Sequence, residues 1–497
     1  MFSTTYATSR FARAQPHRAR LHQALTAALL TGGLAALPSS AATITVTSPD
    51  DSDTGAIGTC TLRQAIMSMD AGGLVAACSK FGTFGVDDTI TFASAAIADA
   101  ATPGTVTLAD SADPNGGIGG TLVIFDAHLT IDARPWRGTG PAQYSGGVTI
   151  ARPTGATHSF GIIRDTAAAG GSLTLSGLTI RNGDAGNNGG GLYLPSADLL
   201  LTDSTVSGNR AGSGGGIYSR SGSVRVERST VDQNTAYLGG GIHADGMLTL
   251  SASTISGNTA MQRGGGIHGG GVLAVTDSTL DGNDALYDGG GIYSSGGTAT
   301  VAGSTISHNF ARYGGGGIHS ESGTLTMSNS TIGGNSALRS GAGVLSNGTI
   351  ELSHVTLSGN TSNVSGGGID GSGHGTIDHS IIAGNSQTSG SDIHLGGTWT
   401  GSDNLTSTTN LDLGPLQDNG GPTRTMLPGA GSTAIDAIPL QACSESVDQR
   451  GIARPQGAGC DIGAVEVMPD AIFTDGFDQA HARSADSIVP GFRSGHP

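Results

Sequence analysis

The chain has few charged and few aromatic residues, 12% and 4% of its 497 residues. Its formal net charge is −16, and Lys80 is its only lysine. A protein that binds nucleic acid or an anionic membrane through charge needs a basic face, so we expect neither partner. The 85 glycines, together with the low charge, argue against both an ordinary globular enzyme and a charge-rich disordered chain.

Long apolar runs are also missing, so the sequence predicts no transmembrane segment in the mature chain. In residues 1–42, four arginines precede an apolar stretch from Ala24 to Leu37 and small residues up to Ala42. This order is typical of a secretory signal peptide. We expect cleavage near Ala42, export, and an extracellular or outer-cell-surface location.

An asparagine that recurs every 24 to 26 residues dominates the middle of the chain. It closes Ser-Thr-apolar-x-Gly-Asn stretches, and glycine triplets follow most copies, as at Gly239 and Gly264. A regular period of this length marks stacked repeats. Stacked amides can hydrogen-bond from coil to coil, so we predict a structural ladder rather than a ligand site. Its members are Asn209, Asn234, Asn258, Asn283, Asn309, Asn335, Asn360 and Asn385.

Within one repeat, Gly239–Asn258, apolar residues alternate with polar ones in short runs, which is the period of a β-strand. Gly, Ser, Asp and Asn between the runs supply turns. Such a unit must stack on copies of itself to bury its apolar face. The sequence therefore predicts an all-β protein, a single-stranded right-handed parallel β-helix of about 25-residue coils with N- and C-terminal caps.

The repeats also carry a family resemblance. Gly-Asn-x-Ala followed by Gly-Gly-Gly-Ile-His, as at 257–260 and 264–268, resembles the repeat of polymorphic outer-membrane proteins and, more broadly, the pectin-lyase-like right-handed β-helix. That fold hosts lyases, hydrolases, adhesins and scaffolds, so the resemblance implies a fold and no single function. We divide the chain into a signal peptide (1–42), an N-terminal cap with irregular coils (43–169), regular repeats (170–400), a C-terminal cap (401–467) and a tail (468–497).

Both ends of the stack need covering, because exposed strand edges template aggregation. Near the N-terminal end, apolar residues at 62, 65, 66 and 69 predict a short amphipathic helix with Thr61 as N-cap. The stretch 60–66 resembles the Cys-Ser-Leu-Arg-Glu-Ala motif of exported repeat proteins. Near the C-terminal end, an ordered series from Gly414-Pro415-Leu416 to Cys460–Ala464 resembles the choice-of-anchor Q domain of bacterial surface proteins, over roughly 365–467. In the tail, Ile472–Phe477 is a candidate sorting signal or a last strand.

The four cysteines lie in these two end regions. Three pairings are possible. We favour Cys60 with Cys78 and Cys443 with Cys460, because each pair closes a short loop and would stabilise the fold by roughly 3 kcal/mol. A metal site built from all four would require the two ends of a rod to meet, so we predict no metal site and no cofactor.

A second column follows each glycine corner, one residue after an aliphatic position. If the aliphatic residues point inward, these residues point outward. Stacked rings could simply stabilise successive coils, or the column and its neighbouring arginines could form a groove for an extended ligand such as a glycan. The candidate ligand-binding residues are Tyr193, Tyr218, His243, His268, Tyr293, His319, Arg263 and Arg312, with Tyr237, Tyr287, Tyr313 and Arg339 in adjoining loops.

Few residues of the sequence suit a catalytic role. A polysaccharide lyase generally needs a basic residue near the substrate, and Lys80 lies outside the repeats. Asp370, His374 and Asp378 are the best group for glycoside hydrolysis, which needs two carboxylates at a suitable separation. We therefore predict an exported, monomeric adhesion or glycan-binding protein, with a glycan or a surface protein as partner. A polysaccharide-active enzyme and a passive spacer are the alternatives.

Overall fold

The computed structural model describes residues 40–468 apart from 54–57, 76, 86, 94–97, 100–101, 112–119, 135–146 and 390. The predicted signal peptide up to residue 39 and the tail from 469, with its Ile472–Phe477 motif, lie outside the described residues. The fold is a parallel β-solenoid of about nine turns with about 25 residues per turn, which confirms the predicted fold class. No helix among the described residues is long and apolar enough to cross a membrane.

Three sheets run along the solenoid. The first sheet comprises Thr43–Val46, Lys80–Phe81, Asp88–Phe92, Ala98–Asp99, Thr102–Thr107, His128–Asp132, Val148–Ala151, Ser172–Ser176, Leu178–Arg181, Asp198–Thr202, Thr205–Ser207, Val224–Glu227, Thr230–Asp232, Leu248–Ser251, Thr254–Ser256, Leu273–Thr276, Thr279–Asp281, Thr298–Ala302, Thr305–Ser307, Thr324–Gly333, Thr349–Ser358, His374–Asp378, Ile381–Ile382 and Trp399–Thr400. The second comprises Leu122–Ile124, Ile163–Asp165, Leu192–Leu194, Ile217–Ser219, Ile242–Ala244, Ile267–Gly269, Ile292–Ser294, Ile318–Ser320, Val344–Ser346, Ile369–Gly371 and Ile393–Leu395. The third comprises Thr235–Ala236, Thr259–Ala260, Asp284–Ala285, Phe310–Ala311, Ser336–Ala337 and Thr361–Ser362.

Successive coils pair in parallel, so each repeat position forms a column along the solenoid. In the second sheet Ile217 pairs with Ile242, which pairs with Ile267. All three are fully buried in one continuous core that also contains the inward residues of the first sheet. The apolar positions of the repeat therefore form the interior, as strand alternation predicts.

The glycine triplets form the corners that lead into the second sheet. Gly239 has a φ of 61°, a left-handed conformation that suits glycine. A Cβ on Gly240 would lie 2.4 Å from the carbonyl oxygen of Gly265 and 2.5 Å from that of Thr259. Consecutive coils thus touch through backbone at this corner, which leaves no room for side chains.

In most repeat coils the first sheet has two strands separated by a bend, and in two coils these strands merge into the single strands Thr324–Gly333 and Thr349–Ser358. The bend residue often has a positive φ, as at Arg228 (45°), Asp277 (49°) and His354 (52°). Two residues later the same column of threonines recurs in register through eight coils, and we call it the threonine face. It consists of Thr179, Thr205, Thr230, Thr254, Thr279, Thr305, Thr331 and Thr356.

A helix, Leu62–Ala71, covers the N-terminal end. The Thr61 side chain accepts a hydrogen bond from the Gln64 backbone N–H, and the Gln64 side chain accepts one from the Thr61 backbone N–H. This reciprocal capping box confirms Thr61 as the N-cap. The predicted stripe at 62, 65, 66 and 69 is buried against the first coils, and the Cys60–Cys78 disulfide is present.

The C-terminal region, where we predicted a cap at 401–467, also contacts the flank of the shaft. Residues 411–468, which we call the strap, lie along the flank of the shaft and run back over the threonine face. Ala464 N–H donates to Thr356 Oγ1 (3.0 Å), and Thr331 Oγ1 donates to Gln449 Oε1 (2.6 Å). Farther along, Thr423 Oγ1 donates to the Gly303 carbonyl (3.0 Å).

The strap is held together by its own contacts. The Cys443–Cys460 disulfide is present, and a small second core packs strap residues such as Leu411 and Ala434 against Ile381 of the shaft. Arg450 pairs with Asp448 at 2.8 Å and Arg454 pairs with Glu466 at 2.9 Å, with all four side chains buried. The other helix of the described region, the 3-10 helix Leu440–Ala442, also belongs to the strap. The strap lacks regular sheet structure, so ion pairs and a disulfide hold it in place of strand pairing.

Candidate functional site

The asparagine column forms the hydrogen-bonded ladder that the repeat predicts. Asn258 Nδ2 donates to Asn283 Oδ1 (2.9 Å) and to the Val231 carbonyl (2.9 Å). The same amide-to-amide contact joins each successive pair from Asn209 to Asn385. From Asn209 to Asn360 these side chains are at most 1% exposed, so the ladder is inaccessible to a ligand.

The Tyr and His column is a continuous stack of rings on the second sheet. Register pairing places the six residues one per coil. Adjacent ring centroids lie 4.5 to 5.5 Å apart, the closest being His243 and His268. These distances are typical of packed aromatic pairs. Ring faces in this column therefore contact other rings.

Several rings of this column are largely buried from solvent. Its side chains leave the core, as strand alternation predicts, yet Tyr293 is only 1% exposed, His319 4% and His243 6%. His243 and Tyr293 each have a ring on both sides, whereas His319 lies edge-on to Tyr293 and is followed in the next coil by Leu345. The glycine corner lies over the base of the Tyr293 ring, because a Cβ on Gly289 would lie 2.7 Å from Tyr293 Cβ. The burial of these three residues favours the stacked-ring alternative, and ligand binding by them stays a prediction.

The Tyr293 hydroxyl is hydrogen-bonded, whereas Nδ1 of His243, Nδ1 of His268 and both ring nitrogens of His319 are buried without a hydrogen-bond partner among the described residues. Tyr293 Oη accepts from Arg263 Nη1 (2.9 Å) and donates to Glu321 Oε2 (2.9 Å). Burial, followed by the nearby His243, lowers the pKa of His268 to about 4. His268 is therefore neutral at physiological pH.

The accessible surface is a neighbouring column in the loops before the glycine triplets, and we call it the tyrosine ridge. Tyr287 stacks on Tyr313 with centroids 5.1 Å apart, and the Arg339 guanidinium lies 4.8 Å from the Tyr313 ring. Tyr237 is 50% exposed and Tyr287 44%. The ridge consists of Tyr237, Met261, Gln262, Arg263, Leu286, Tyr287, Arg312, Tyr313, Leu338, Arg339 and Val364. It spans six coils and presents aromatic, apolar and guanidinium groups to solvent.

A cleft of about 670 Å³ lies where the ridge and the ring column begin. Tyr193 and Tyr237 line it together with Arg164, whose guanidinium carbon lies 4.9 Å from the Tyr193 ring centroid. Arg164 occupies the column position before Tyr193, because Tyr193 and Arg164 are register partners. Sequence reasoning missed this arginine, since 29 residues separate it from Tyr193 and the period of about 25 does not reach it. Thr121, another lining residue, was missed for the same reason.

The candidate catalytic group is divided between sheets. Asp370 lies in the second sheet and contacts His394 Nδ1 (2.8 Å), whereas His374 and Asp378 lie in a strand of the first sheet. Asp378 Oδ1 accepts from the Ser402 backbone N–H (2.8 Å). The turn after Gly371 separates the two strands, so Asp370 faces partners other than those we predicted.

No cluster of His, Cys, Asp or Glu suited to a metal ion occurs among the described residues. Both cysteine pairs are oxidised and so are unavailable as ligands. Near the N-terminal end, Asp51 pairs with Arg63 at 2.7 Å.

A family model described as a right-handed β-helix region matches residues 145–306. The crystal structure of pectate lyase Pel9A aligns with 85% of this chain and 96% of its own length, at a TM-score of 0.46 and 13% sequence identity. No curated protein sequence matches the chain. The family model gives the hand of the helix as right, in agreement with the predicted fold, and leaves the activity open.

Proposed function

We propose that this protein is an exported cell-surface or secreted β-helix protein that binds glycans through the tyrosine ridge, without a catalytic role. The observation that carries this proposal is the ridge itself: exposed tyrosines and arginines on consecutive coils. Coils repeat at roughly 4.8 Å, so the ridge offers regularly spaced contacts to a ligand that is itself extended. Tyrosine supplies a flat apolar face with a polar tip, and arginine supplies several donors.

Surface attachment draws support from the C-terminal region. The series from Gly414 to Ala464 resembles the choice-of-anchor Q domain, whose family is associated with bacterial surfaces. The two disulfides are compatible with an oxidising, extracytoplasmic compartment. We further propose that the chain acts as a monomer, and that a surface protein is an alternative ligand because tyrosine and arginine also dominate protein interfaces.

Substitutions on the ridge test the proposal directly. The full-length mature protein and a Tyr237→Ala/Tyr287→Ala/Tyr313→Ala variant are applied to a panel of neutral and acidic glycans. We expect the variant to lose at least about tenfold in affinity, since removing clustered aromatic contacts removes most of the binding energy. Phe81→Ala/Trp399→Ala is the matched control, because both residues are exposed aromatics outside the ridge. Equal binding by all three proteins would refute the ridge as the site.

A polysaccharide-active enzyme is the second candidate, and one observation favours it. Asp370, which is 6% exposed, holds Nδ1 of His394, whose side chain is 59% exposed, so its other ring nitrogen can act as a base. Release of reducing or unsaturated ends from any glycan in the panel, abolished by His394→Gln, would replace the binding proposal with an enzymatic one. A protein that neither binds nor cleaves any glycan or surface protein would be a passive spacer.

A further inference from the structure

The cleft at the start of the tyrosine ridge partly encloses an arginine that lies over a tyrosine ring. Arg164 is half-buried within it, between Tyr193 and the preceding coil. Two other arginines of the shaft have acidic partners: Arg228 lies 3.0 Å from Asp203, and Arg263 lies 3.8 Å from Asp288. Arg339 resembles Arg164 more closely, because it lies over a tyrosine ring, but it is exposed on the ridge and does not line this cleft. In the part of the chain that the structure describes, the Arg164 guanidinium has no carboxylate or hydrogen-bond partner.

Thr121, another residue that lines the cleft, also has an unsatisfied donor. Thr121 is 4% exposed, and its Oγ1 is buried without a hydrogen-bond partner among the described residues. The backbone around it is fixed, because Arg63 donates to the carbonyls of Gly120 (2.7 Å) and Thr121 (3.0 Å). A buried hydroxyl without a partner is costly, and a ligand that accepts its hydrogen bond would remove that cost.

The remaining lining favours an acceptor ligand. Asn187, Asn188 and Ser213 contribute amide and hydroxyl groups, and none of the described lining residues is Asp or Glu. A guanidinium that stacks on a ring keeps its edge free, and that planar edge can bind a carboxylate or a sulfate through two parallel hydrogen bonds. In a chain with a net charge of −16, a local site of this kind is needed before an anion can bind.

We propose that this cleft binds the oxyanion of an acidic sugar, a carboxylate or a sulfate ester, through Arg164 and Thr121. The inference rests on the glycan-binding function proposed above and specifies the ligand class at one end of the ridge. Tyr193 supports the guanidinium from below, and the amides of Asn187 and Asn188 are placed to contact sugar hydroxyls. Neutral sugars can occupy the ridge, whereas the cleft selects for the acidic group.

Three monosaccharides that differ only at one carbon provide the test: glucose, glucuronate and glucose 6-sulfate. Binding to the full-length mature protein is measured by ligand-observed NMR and calorimetry at low and high salt. We expect glucuronate or the sulfate ester to bind at least about tenfold more tightly than glucose, with a preference that salt weakens. Whichever of the two acids binds more tightly identifies the oxyanion.

Substitutions in the cleft test whether the preference for acidic sugars arises there. Arg164→Gln keeps hydrogen-bonding capacity without the charge, and we expect it to abolish the preference for acid while glucose binding is unchanged. Thr121→Val, which is nearly isosteric, should reduce acid binding several-fold. Arg181→Gln, an exposed arginine outside the cleft, is the control and should have no effect. Melting curves verify that each variant is folded.

The outcomes separate this inference from the ridge proposal. Equal affinity for glucose and both acids, or an acid preference that survives Arg164→Gln, would overturn the oxyanion site even if oligosaccharides still bind the ridge. An acid preference lost in Arg164→Gln, in a protein whose ridge variant binds oligosaccharides normally, would support the cleft and refute the ridge.

Discussion

The threonine face is one column in two environments. Thr305, Thr331 and Thr356 are covered by the strap and are at most 1% exposed, whereas Thr230 and Thr254 are half-exposed. Backbone register and residue type are the same in both halves. The repeat therefore builds a uniform surface, and a distant segment without any repeat decides which part of it meets solvent.

The strap and the bare shaft also use charge differently. Arg454 and Glu466 pair with side-chain exposures of 0% and 1%, whereas Arg225 of the Arg225–Glu227 pair on the shaft is 65% exposed. A charge removed from water needs compensating contacts, and Arg454 also donates to the carbonyls of Asp461 (2.8 Å) and Gly463 (2.7 Å), although its Nε has no partner among the described residues. The strap thus depends on a small number of specific contacts, and the shaft on many equivalent ones.

The largest predicted effect comes from breaking the buried pair. Arg454→Met leaves Glu466 charged and buried, and we expect it to cost about 3–5 kcal/mol of strap stability. Hydrogen exchange of the strap amides should accelerate accordingly. Arg225→Met, the matched control, should cost about 0–1 kcal/mol because its pair is exposed. Similar small effects from both substitutions would show that the strap does not rely on this ion pair.

Substituting an asparagine of the ladder should cost the same stability in a bare coil as in a coil that the strap covers. Asn258→Ala removes the acceptor for the Asn234 backbone N–H (2.9 Å) and for its side-chain amide (3.0 Å). We expect a loss of about 2–4 kcal/mol, because buried donors are left unsatisfied. Asn335→Ala, in the coil whose Thr331 contacts the strap, should cost the same within about 1 kcal/mol, and the exposed Asn363→Ala should cost less than about 0.5 kcal/mol. Urea unfolding provides the measurement, and a much smaller loss for Asn335→Ala would mean that the strap buttresses the ladder.

Lowering the pH should reduce the free energy of unfolding of both the bare and the strap-covered parts of the shaft. The reduction should extend over a wider pH range in the strap-covered part. Burial, then Arg454 and His379, lowers the pKa of His354 to about 3, while that of His268 on the bare half is about 4. Both would titrate near about pH 6.5 in the unfolded chain. Below that pH the unfolded state binds more protons, so the free energy of unfolding falls by up to about 1.4 kcal/mol per pH unit for each histidine. The fall ends once the pH drops below the folded-state pKa.

Two variants test whether these two histidines cause the pH dependence of unfolding. His354→Asn suits the positive φ at that position, and His268→Tyr suits the ring stack. Unfolding is compared at about pH 7.5 and about pH 4.5, and each variant should show a shallower pH dependence than the unmodified protein. An unchanged slope in His354→Asn would show that this histidine is already accessible to protons in the folded protein.

Local pattern predicted the repetitive parts of the molecule well. The period of Asn209 to Asn385 gave the coil length and the ladder, the spacing of Cys60 and Cys78 favoured their pairing, and the stripe after Thr61 predicted the helix. Each of these features depends on residues that are close in sequence or related by a constant repeat.

Features that depend on long-range packing could not be predicted in this way. Gln449 contacts Thr305 across 144 residues, and identical threonines in other coils offer no sequence signal for the choice. Alternation showed that Tyr293 leaves the core, yet its burial arises from the rings above and below and from the glycine corner. Arg164 belongs to the column only through an irregular coil, which the repeat does not describe.

The smallest predicted effect compares a strap-covered threonine of the threonine face with a half-exposed one. Thr305 Oγ1 donates to the Arg424 carbonyl and accepts from Gln449 Nε2 (3.0 Å), so Thr305→Val should loosen the strap by about 1 kcal/mol. Thr230→Val changes a half-exposed position in the same register, and it should be neutral because valine also favours strands. Hydrogen exchange of the strap measures the difference, and faster exchange in Thr305→Val alone would establish that the strap recognises these hydroxyls. Equal exchange in the two variants would mean that the strap is held by its own core and ion pairs, with the threonine face serving only as a flat support.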